Sequence, residues 1–264
     1  MGARNVSNLK QTFIITKYEF LKCLKSKRLP VTIALLTPLA ILTLFLVEWG
    51  GADTLVEFVD EYFLYISLGI AILGVIYGSD VISSEFEQKT GYVTLTAPIG
   101  RGWMLIGKFI AGFASVFIAV VILYVVGCVY MLHTYGTLPG GLIGSILLTL
   151  LFGAATLGLA FLFSTVIPGD LLPVLACFFF FVIIMPYVEA FLIGLHIDPW
   201  FLLTYARKDI PLVSMDPAPR RVIPNPEGPL YTYPELPVGI VVMLAYLAIT
   251  LLLSIYVFKR RQMR

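Results

Sequence analysis

Long apolar runs separated by short polar segments make up most of the chain. A helix needs about 20 mainly apolar residues to cross a bilayer, and six runs of suitable length are present. They cover residues 30–48, 62–80, 104–132, 140–166, 171–194 and 236–258. The third and fourth runs are longer than one crossing requires, so these helices are expected to tilt or to project beyond the bilayer. The pattern predicts an all-α polytopic membrane protein whose transmembrane domain, residues 30–258, contains six helices.

The composition agrees with this fold class. Hydrophobic residues make up 59% of the chain and charged residues 13%, whereas soluble domains contain about 25% charged residues. The net charge is only +2, and no basic tract with interleaved aromatic residues is present, so membrane lipids are expected as partners and nucleic acid is not. The three cysteines and two histidines lack metal-ligand spacing, so no metal site is expected.

Lysines and arginines are distributed unevenly between the two sides of the predicted spans. Fourteen lie before the first span, around the loop at 81–103, or at the C-terminus, whereas four lie in the loop between the fifth and sixth spans. The side with more basic residues normally faces the cytoplasm. The sequence therefore predicts a protein of the cell membrane with both termini, including the basic tail 259–264, in the cytoplasm.

Two segments outside the spans have distinct patterns. Residues 1–29 alternate apolar positions with lysines, which predicts a cytoplasmic amphipathic helix on the membrane surface. It is either a simple anchor or a partner-binding element. The loop 195–235 contains eight prolines and so cannot form a long regular helix. Its "DPWFLLTYA" portion predicts a short interfacial helix with Trp200 and Tyr205 at headgroup depth, followed by an extended external strap.

The loop at 81–103 contains a short predicted helix. In "SSEFEQKTG" the serines suit an N-cap, Glu85 and Glu87 lie in the first turn where the helix dipole favours carboxylates, and Gly91 suits a C-cap. Pro98 interrupts the following stretch. Arg101 and Lys108, at the start of the third span, are expected to reach the lipid headgroups.

The stretch "GWMLIGKF" has part of the pattern of a phosphate-binding loop. Such a loop needs Ser or Thr after the lysine and lies between a strand and a helix. Here Phe109 follows Lys108, and the stretch leads directly into an apolar span. The chain is therefore expected to bind no ATP itself.

The segment "GSDVISSEFEQKTGYVTLTAPIGRGWMLIGKFIAG" resembles the signature region of type 2 ABC exporter permeases. That signature has two acidic residues one apart, then Thr-Gly, a leucine, a proline, a basic residue and a lysine at the head of the next span. The matching positions here are Glu85, Glu87, Thr90, Gly91, Leu95, Pro98, Arg101 and Lys108. The stretch "KYEF", with Glu19, precedes the first predicted span, as in that family.

The resemblance implies the membrane-spanning permease subunit of an ATP-binding-cassette exporter. A separate P-loop ATPase would bind ATP and magnesium, and this chain would bind no cofactor and would not be an enzyme. Two permeases, identical or different, would work with two ATPases. Glu19 and the helix with Glu85, Glu87, Thr90 and Gly91 would couple to the ATPase, although helix caps of this kind also occur for stability alone.

Two other classes of function remain open from the residues alone. One is a secondary transporter or channel that works without an ATPase, and the other is a membrane scaffold or assembly factor. Glu189, near the outer end of the fifth span, either lines a transport pathway or reaches the outer headgroups. The substrate is not encoded in any motif, and the Phe-, Leu-, Val- and Tyr-rich spans favour a lipid-like or amphipathic cargo only weakly.

Overall fold

A computed structural model describes residues 16–18, 21, 38, 40–45, 47–49, 54–79, 101–169, 171–215, 222–223, 230–231 and 235–260. Its helices are α1 (Leu55–Ser79), α2 (Arg101–Thr134), α3 (Leu142–Val166), α4 (Leu171–Phe179), α5 (Met185–Gly194), α6 (Leu203–Ala206), α7 (Asp209–Leu212) and α8 (Leu236–Arg260). A π-helical turn, Phe180–Ile184, joins α4 to α5. Strands β1 (Val222–Ile223) and β2 (Leu230–Tyr231) form a short antiparallel ribbon.

Five helical segments of the described chain are long and apolar enough to cross a membrane. They are α1, α2 from Gly102 onward, α3, the continuous unit α4–α5, and α8. These correspond to the second to sixth predicted spans. The first predicted span overlaps a shorter apolar helical stretch, Ala40–Trp49, in a range that the structure describes only in part. The polytopic helical fold is therefore confirmed, and the first predicted span, which would bring the number of crossings to six, stays a prediction.

Helix α1 begins seven residues earlier than the predicted span 62–80. A reciprocal pair of hydrogen bonds explains the start: the Glu57 backbone N–H donates to Thr54 Oγ1, and the Thr54 N–H donates to Glu57 Oε2, each over 3.3 Å. This is a capping box, in which each side chain satisfies a backbone donor that the helix leaves free. Acidic residues that the hydropathy pattern assigned to a loop therefore lie in the first turns of α1.

Helix α3 is the centre of the bundle and packs against α1, α2, α4 and α8. Small residues allow these close approaches. A Cβ at Gly74 of α1 would lie 2.6 Å from Thr156 Oγ1, and a Cβ at Gly158 of α3 would lie 2.6 Å from Thr250 Oγ1 of α8. Side chains at either glycine would force the helices apart, so these residues set the helix spacing.

Hydroxyl groups connect the helices inside the bundle. The Tyr124 hydroxyl of α2 lies 2.7 Å from both Ser145 Oγ and Thr149 Oγ1 of α3. The Tyr62 hydroxyl of α1 donates to the Leu123 carbonyl over 2.9 Å. Without water in the hydrocarbon region, buried hydroxyls need such internal partners.

The fifth span contains a π-helical turn between α4 and α5. Before the turn, α4 packs against α3 and α1, whereas the main neighbour of α5 beyond the turn is α6. Only Met185 and Glu189 are buried in α5. A π-helical turn shifts which residues of the following helix face a given side, and beyond it the span buries few residues.

Residues 202–215, here called the buried loop, fold back into one end of the bundle. Leu203, Ala206 and Ile210 are fully buried, because α6 packs against α8 and α5 while α7 packs against α1 and α3. The expectation of an interfacial helix with Tyr205 at headgroup depth is wrong at this residue, which is 2% exposed. Trp200 is 56% exposed, as an interfacial residue would be. The apolar side chains around Tyr205 favour burial over the surface.

Candidate functional site

All five predicted coupling residues lie outside the residues that the structure describes. These are Glu19, Glu85, Glu87, Thr90 and Gly91, and the predicted boundary residue Pro98 lies outside them as well. Arg101 is the first residue of α2, and its side chain is also outside the described set. The coupling helix in the loop 81–103 therefore stays a prediction, and α2 begins where that loop ends.

Lys108 lies inside the bundle instead of at the headgroups. It is 3% exposed, and it follows Met104 by four residues and Leu105 by three, which are also buried. Residues at these spacings share one face of a helix. The expected headgroup position is therefore wrong for Lys108, because its side of α2 faces the protein.

The start of α2 contacts two other segments of the chain, at the end of the bundle that is predicted to be cytoplasmic. Thr16 Oγ1, in the N-terminal segment, donates to the Gly107 carbonyl over 3.2 Å. A Cβ at Gly102 would lie 3.4 Å from Lys259 Cε and 3.5 Å from Ile255 Cγ2 of α8. The N-terminal segment and the last span thus both contact the first two turns of α2.

The same geometry gives the stretch from Gly102 to Lys108 a structural role. These residues form the first turns of a continuous helix, whereas a phosphate-binding loop presents free backbone N–H groups from an irregular turn. Gly102 allows α8 to approach α2. The resemblance of "GWMLIGKF" to a nucleotide-binding motif is therefore coincidental.

At the opposite end of the bundle, Glu189 of α5 binds the buried loop. Its Oε1 lies 2.6 Å from Lys208 Nζ, and Glu189 is 8% exposed. The Lys208 ammonium also lies 5.2 Å from the centre of the Tyr205 ring, a separation at which a cation and an aromatic face attract. Glu189 is therefore directed to Lys208, and a role in a transport pathway stays a prediction.

Polar atoms of two side chains next to this ion pair, Asp209 and Arg207, are buried without hydrogen-bond partners among the described residues. Neither carboxylate oxygen of Asp209 accepts a hydrogen bond, and Asp209 is 0% exposed. Burial raises the pKa of Asp209 to about 8. Arg207 Nε and Nη1 also lack partners; burial lowers the Arg207 pKa, and the charge of Glu189 opposes that change. Buried charges without partners are costly, so this arrangement needs an explanation.

Glycines at the starts of two long helices allow the buried loop to fit this closely. A Cβ at Gly239, in the first turn of α8, would overlap Asp209 Oδ2, and a Cβ at Gly141, just before α3, would overlap the Val213 carbonyl oxygen. The loop thus rests directly on the backbones of both helix starts.

The sequence profile of one protein family, described as ABC-2 family transporter protein, matches residues 13–263. The chain belongs to this family. As an ABC-2 protein it is a multi-pass membrane component of an ABC transporter, and such a component is a transport protein and not itself an enzyme. The family implies association with an ATP-binding subunit. A comparison with curated proteins found no match.

The ABC-2 assignment agrees with the resemblance carried by the loop after the second predicted span.

The sequence pattern did not predict the buried loop. Its signal is "TYARKDIPLV", in which Arg207, Lys208 and Asp209 interrupt an otherwise apolar stretch. Prolines on either side favoured an external strap. The burial depends on glycines at 141 and 239, which no local pattern connects to this stretch.

Proposed function

We propose that the chain is the permease subunit of an ABC exporter, which moves its substrate out across the cytoplasmic membrane with energy from a separate ATPase. The family match over residues 13–263 carries this proposal. The five apolar spans, four of which pack around α3, supply a membrane domain of the required kind. Both termini would face the cytoplasm, in agreement with the distribution of basic residues.

Energy would enter through the loop 81–103 and the N-terminal helix. Glu85 and Glu87 give the predicted loop helix an acidic surface, and Glu19 adds a carboxylate from the N-terminal segment. Helix α2 follows that loop directly and runs for 34 residues without interruption. Because α2 also contacts α8 at Gly102, a displacement of the loop would be passed to two spans at once.

The working unit would contain two permeases, identical or different, and two ATPases. ATP and magnesium would bind to the ATPases. Closure of the ATPases would shift the bundle between two states that differ in access to the two sides of the membrane. The cargo class is left open by the apolar side chains of the spans, since helices in contact with lipid need the same residues.

Co-purification tests the proposal. The chain is expressed with a candidate P-loop ATPase from the same organism, extracted in mild detergent and isolated through a tag on the ATPase. The wild-type permease is expected to co-elute, and the double variant Glu85→Lys, Glu87→Lys is expected to lose the association because it reverses the acidic surface. A matched double reversal at the opposite end, Asp198→Lys with Glu235→Lys, replaces two exposed acids and is expected to co-elute normally.

Each result has a distinct meaning. Co-elution that survives reversal at Glu85 and Glu87 would keep the permease assignment and move the contact elsewhere. If the wild-type chain fails to associate with any ATPase, the proposal is wrong, and a gradient-driven transporter or a scaffold takes its place.

A further inference from the structure

The buried loop closes one end of the helical bundle. It lies where α1, α3 and α8 begin and where α5 ends, and it packs against all four helices. The distribution of basic residues predicts that this end faces outward. With this orientation, the loop covers the outer ends of these four helices.

One described ion pair joins the loop to α5, in addition to the packing of α6 against α5. Beyond the π-helical turn, α5 has little contact with the long spans, and Lys208 Nζ lies 2.6 Å from Glu189 Oε1. The rest of α5 exposes large apolar side chains, such as Tyr187 and Phe191. Movement of the loop and movement of α5 are therefore coupled through the Lys208–Glu189 pair.

The packing of the loop also isolates polar atoms. Asp209 Oδ1 and Oδ2, Thr204 Oγ1, and Arg207 Nε and Nη1 are all buried without hydrogen-bond partners among the described residues. Loss of hydration at each of these atoms opposes the packed position. Apolar burial of Leu203, Ala206 and Ile210 favours it. A segment held by opposing effects of this kind is suited to move between two positions.

We propose that the buried loop is the outer gate of the permease and that the Lys208–Glu189 ion pair holds this gate in its closed position as a latch. The gate closes only when the Asp209 carboxyl group carries a proton. This inference rests on the proposed transport function, since a gate has meaning only in a transporter.

The sign of the proton effect follows from burial. In the closed position the pKa of Asp209 is raised from 3.8 to about 8, whereas in an open, hydrated position it would return to its ordinary value. Between these two pH values the closed gate holds a proton that the open gate releases. The ratio of molecules with a closed gate to molecules with an open gate therefore falls about tenfold for each unit by which the pH rises across this range. Opening is linked to release of one proton, and acidic external medium favours closure.

Other ionisable groups belong to the gate and to the elements next to it, and none of those described forms a hydrogen bond with Asp209. On the loop itself they are Arg207, Lys208 and Tyr205; on the packed elements they are Glu57, Asp60 and Glu61 of α1, Glu189 of α5, and Glu235 before α8, with Asp198 in the preceding turn. Helix α3 contains no ionisable residue. Burial is the cause of the raised Asp209 pKa, so Asp209 is the group that links the gate to pH.

Hydrogen–deuterium exchange on the full chain in lipid nanodiscs tests the gate. Protection of the peptide covering 203–213 is measured from pH 5 to pH 8 and corrected for the intrinsic exchange rate. In the unmodified chain, protection is expected to fall with pH by up to about tenfold per unit. Protection that stays constant over this range would overturn the proposal without need of any variant.

Variants assign the effect to individual residues. Asp209→Asn is neutral at every pH and nearly isosteric, so its protection is expected to stay high at pH 8. The matched control Asp198→Asn changes an exposed acid in the preceding turn and is expected to keep the pH dependence. A pH dependence that survives in Asp209→Asn would contradict the proton linkage.

The latch has its own test. Lys208→Gln is expected to lower protection at every pH and to leave the slope with pH unchanged, and protection equal to the unmodified chain would remove Lys208–Glu189 from the proposal. No ATPase is present in these measurements. A negative exchange result would therefore remove the gate and leave the permease assignment intact. A negative co-purification result would remove the permease assignment and leave the exchange result unchanged.

Discussion

At the residue scale, the end of the bundle that the buried loop closes depends on a missing side chain. Gly239 lets the Asp209 carboxyl group lie against the first turn of α8, where a Cβ would overlap Oδ2. The glycine pattern of the sequence predicts close packing in general. Which partner each glycine meets depends on side chains far away along the chain.

Gly239→Ala is expected to lower the thermal stability of the permease. The added methyl group must displace Asp209 or shift α8, and overpacking of a tight site costs about 1–3 kcal/mol. Thermal unfolding in detergent would show this as a lower midpoint. Gly140→Ala is the matched control, because no atom lies within 4 Å of a Cβ at that position, and its midpoint should be unchanged. Equal midpoints for both variants would contradict the packing of Asp209 on α8.

At the element scale, α3 organises the bundle through small residues on several faces and a short hydroxyl cluster near its start. The hydropathy pattern placed α3 correctly, and its small residues indicated close packing. The pattern did not show that α3 is central, because a buried helix and a lipid-facing helix both consist of apolar residues. The structure distinguishes them: α1 and α3 are mostly buried, whereas α4–α5 and α8 are mostly exposed.

Tyr124→Phe is expected to loosen the contact between α2 and α3. The hydroxyl lies 2.7 Å from both Ser145 Oγ and Thr149 Oγ1, and hydrogen bonds between membrane helices contribute about 0.6 kcal/mol on average and up to about 1.7. Equilibrium unfolding in mixed micelles measures the loss. Tyr187→Phe removes the hydroxyl of a tyrosine that is 74% exposed and should cost nothing; an equal loss in both variants would argue against the hydroxyl cluster.

At the scale of the whole molecule, the number of spans sets the sides on which the two termini lie. Five long helices are described, with a shorter apolar stretch, Ala40–Trp49, before them. If that stretch belongs to a sixth crossing, the termini share one side; with five crossings they are on opposite sides. The uneven distribution of basic residues favours the first arrangement.

Reporter fusions are expected to place both termini in the cytoplasm. A fluorescent protein that matures only in the cytoplasm is attached before Met1 in one fusion and after Arg264 in another, and both are expected to fluoresce. Gly140→Cys is introduced into a chain whose native cysteines are replaced. A thiol reagent that cannot cross the membrane is expected to label this cysteine from outside the cell. A dark N-terminal fusion with a bright C-terminal one would indicate five crossings.

The sequence by itself determined the membrane class, five of the long helices, and the family resemblance, because these depend on local hydropathy and on one contiguous motif. It did not determine the position of Tyr205, Lys108 or Asp209. Local apolarity is the same for a side chain in lipid and one in a protein core, so burial of these residues was decided by the helices that pack around them. Only the tertiary structure brings Glu189 to Lys208 and places Asp209 on Gly239, since both contacts join segments that the sequence pattern assigns to separate elements.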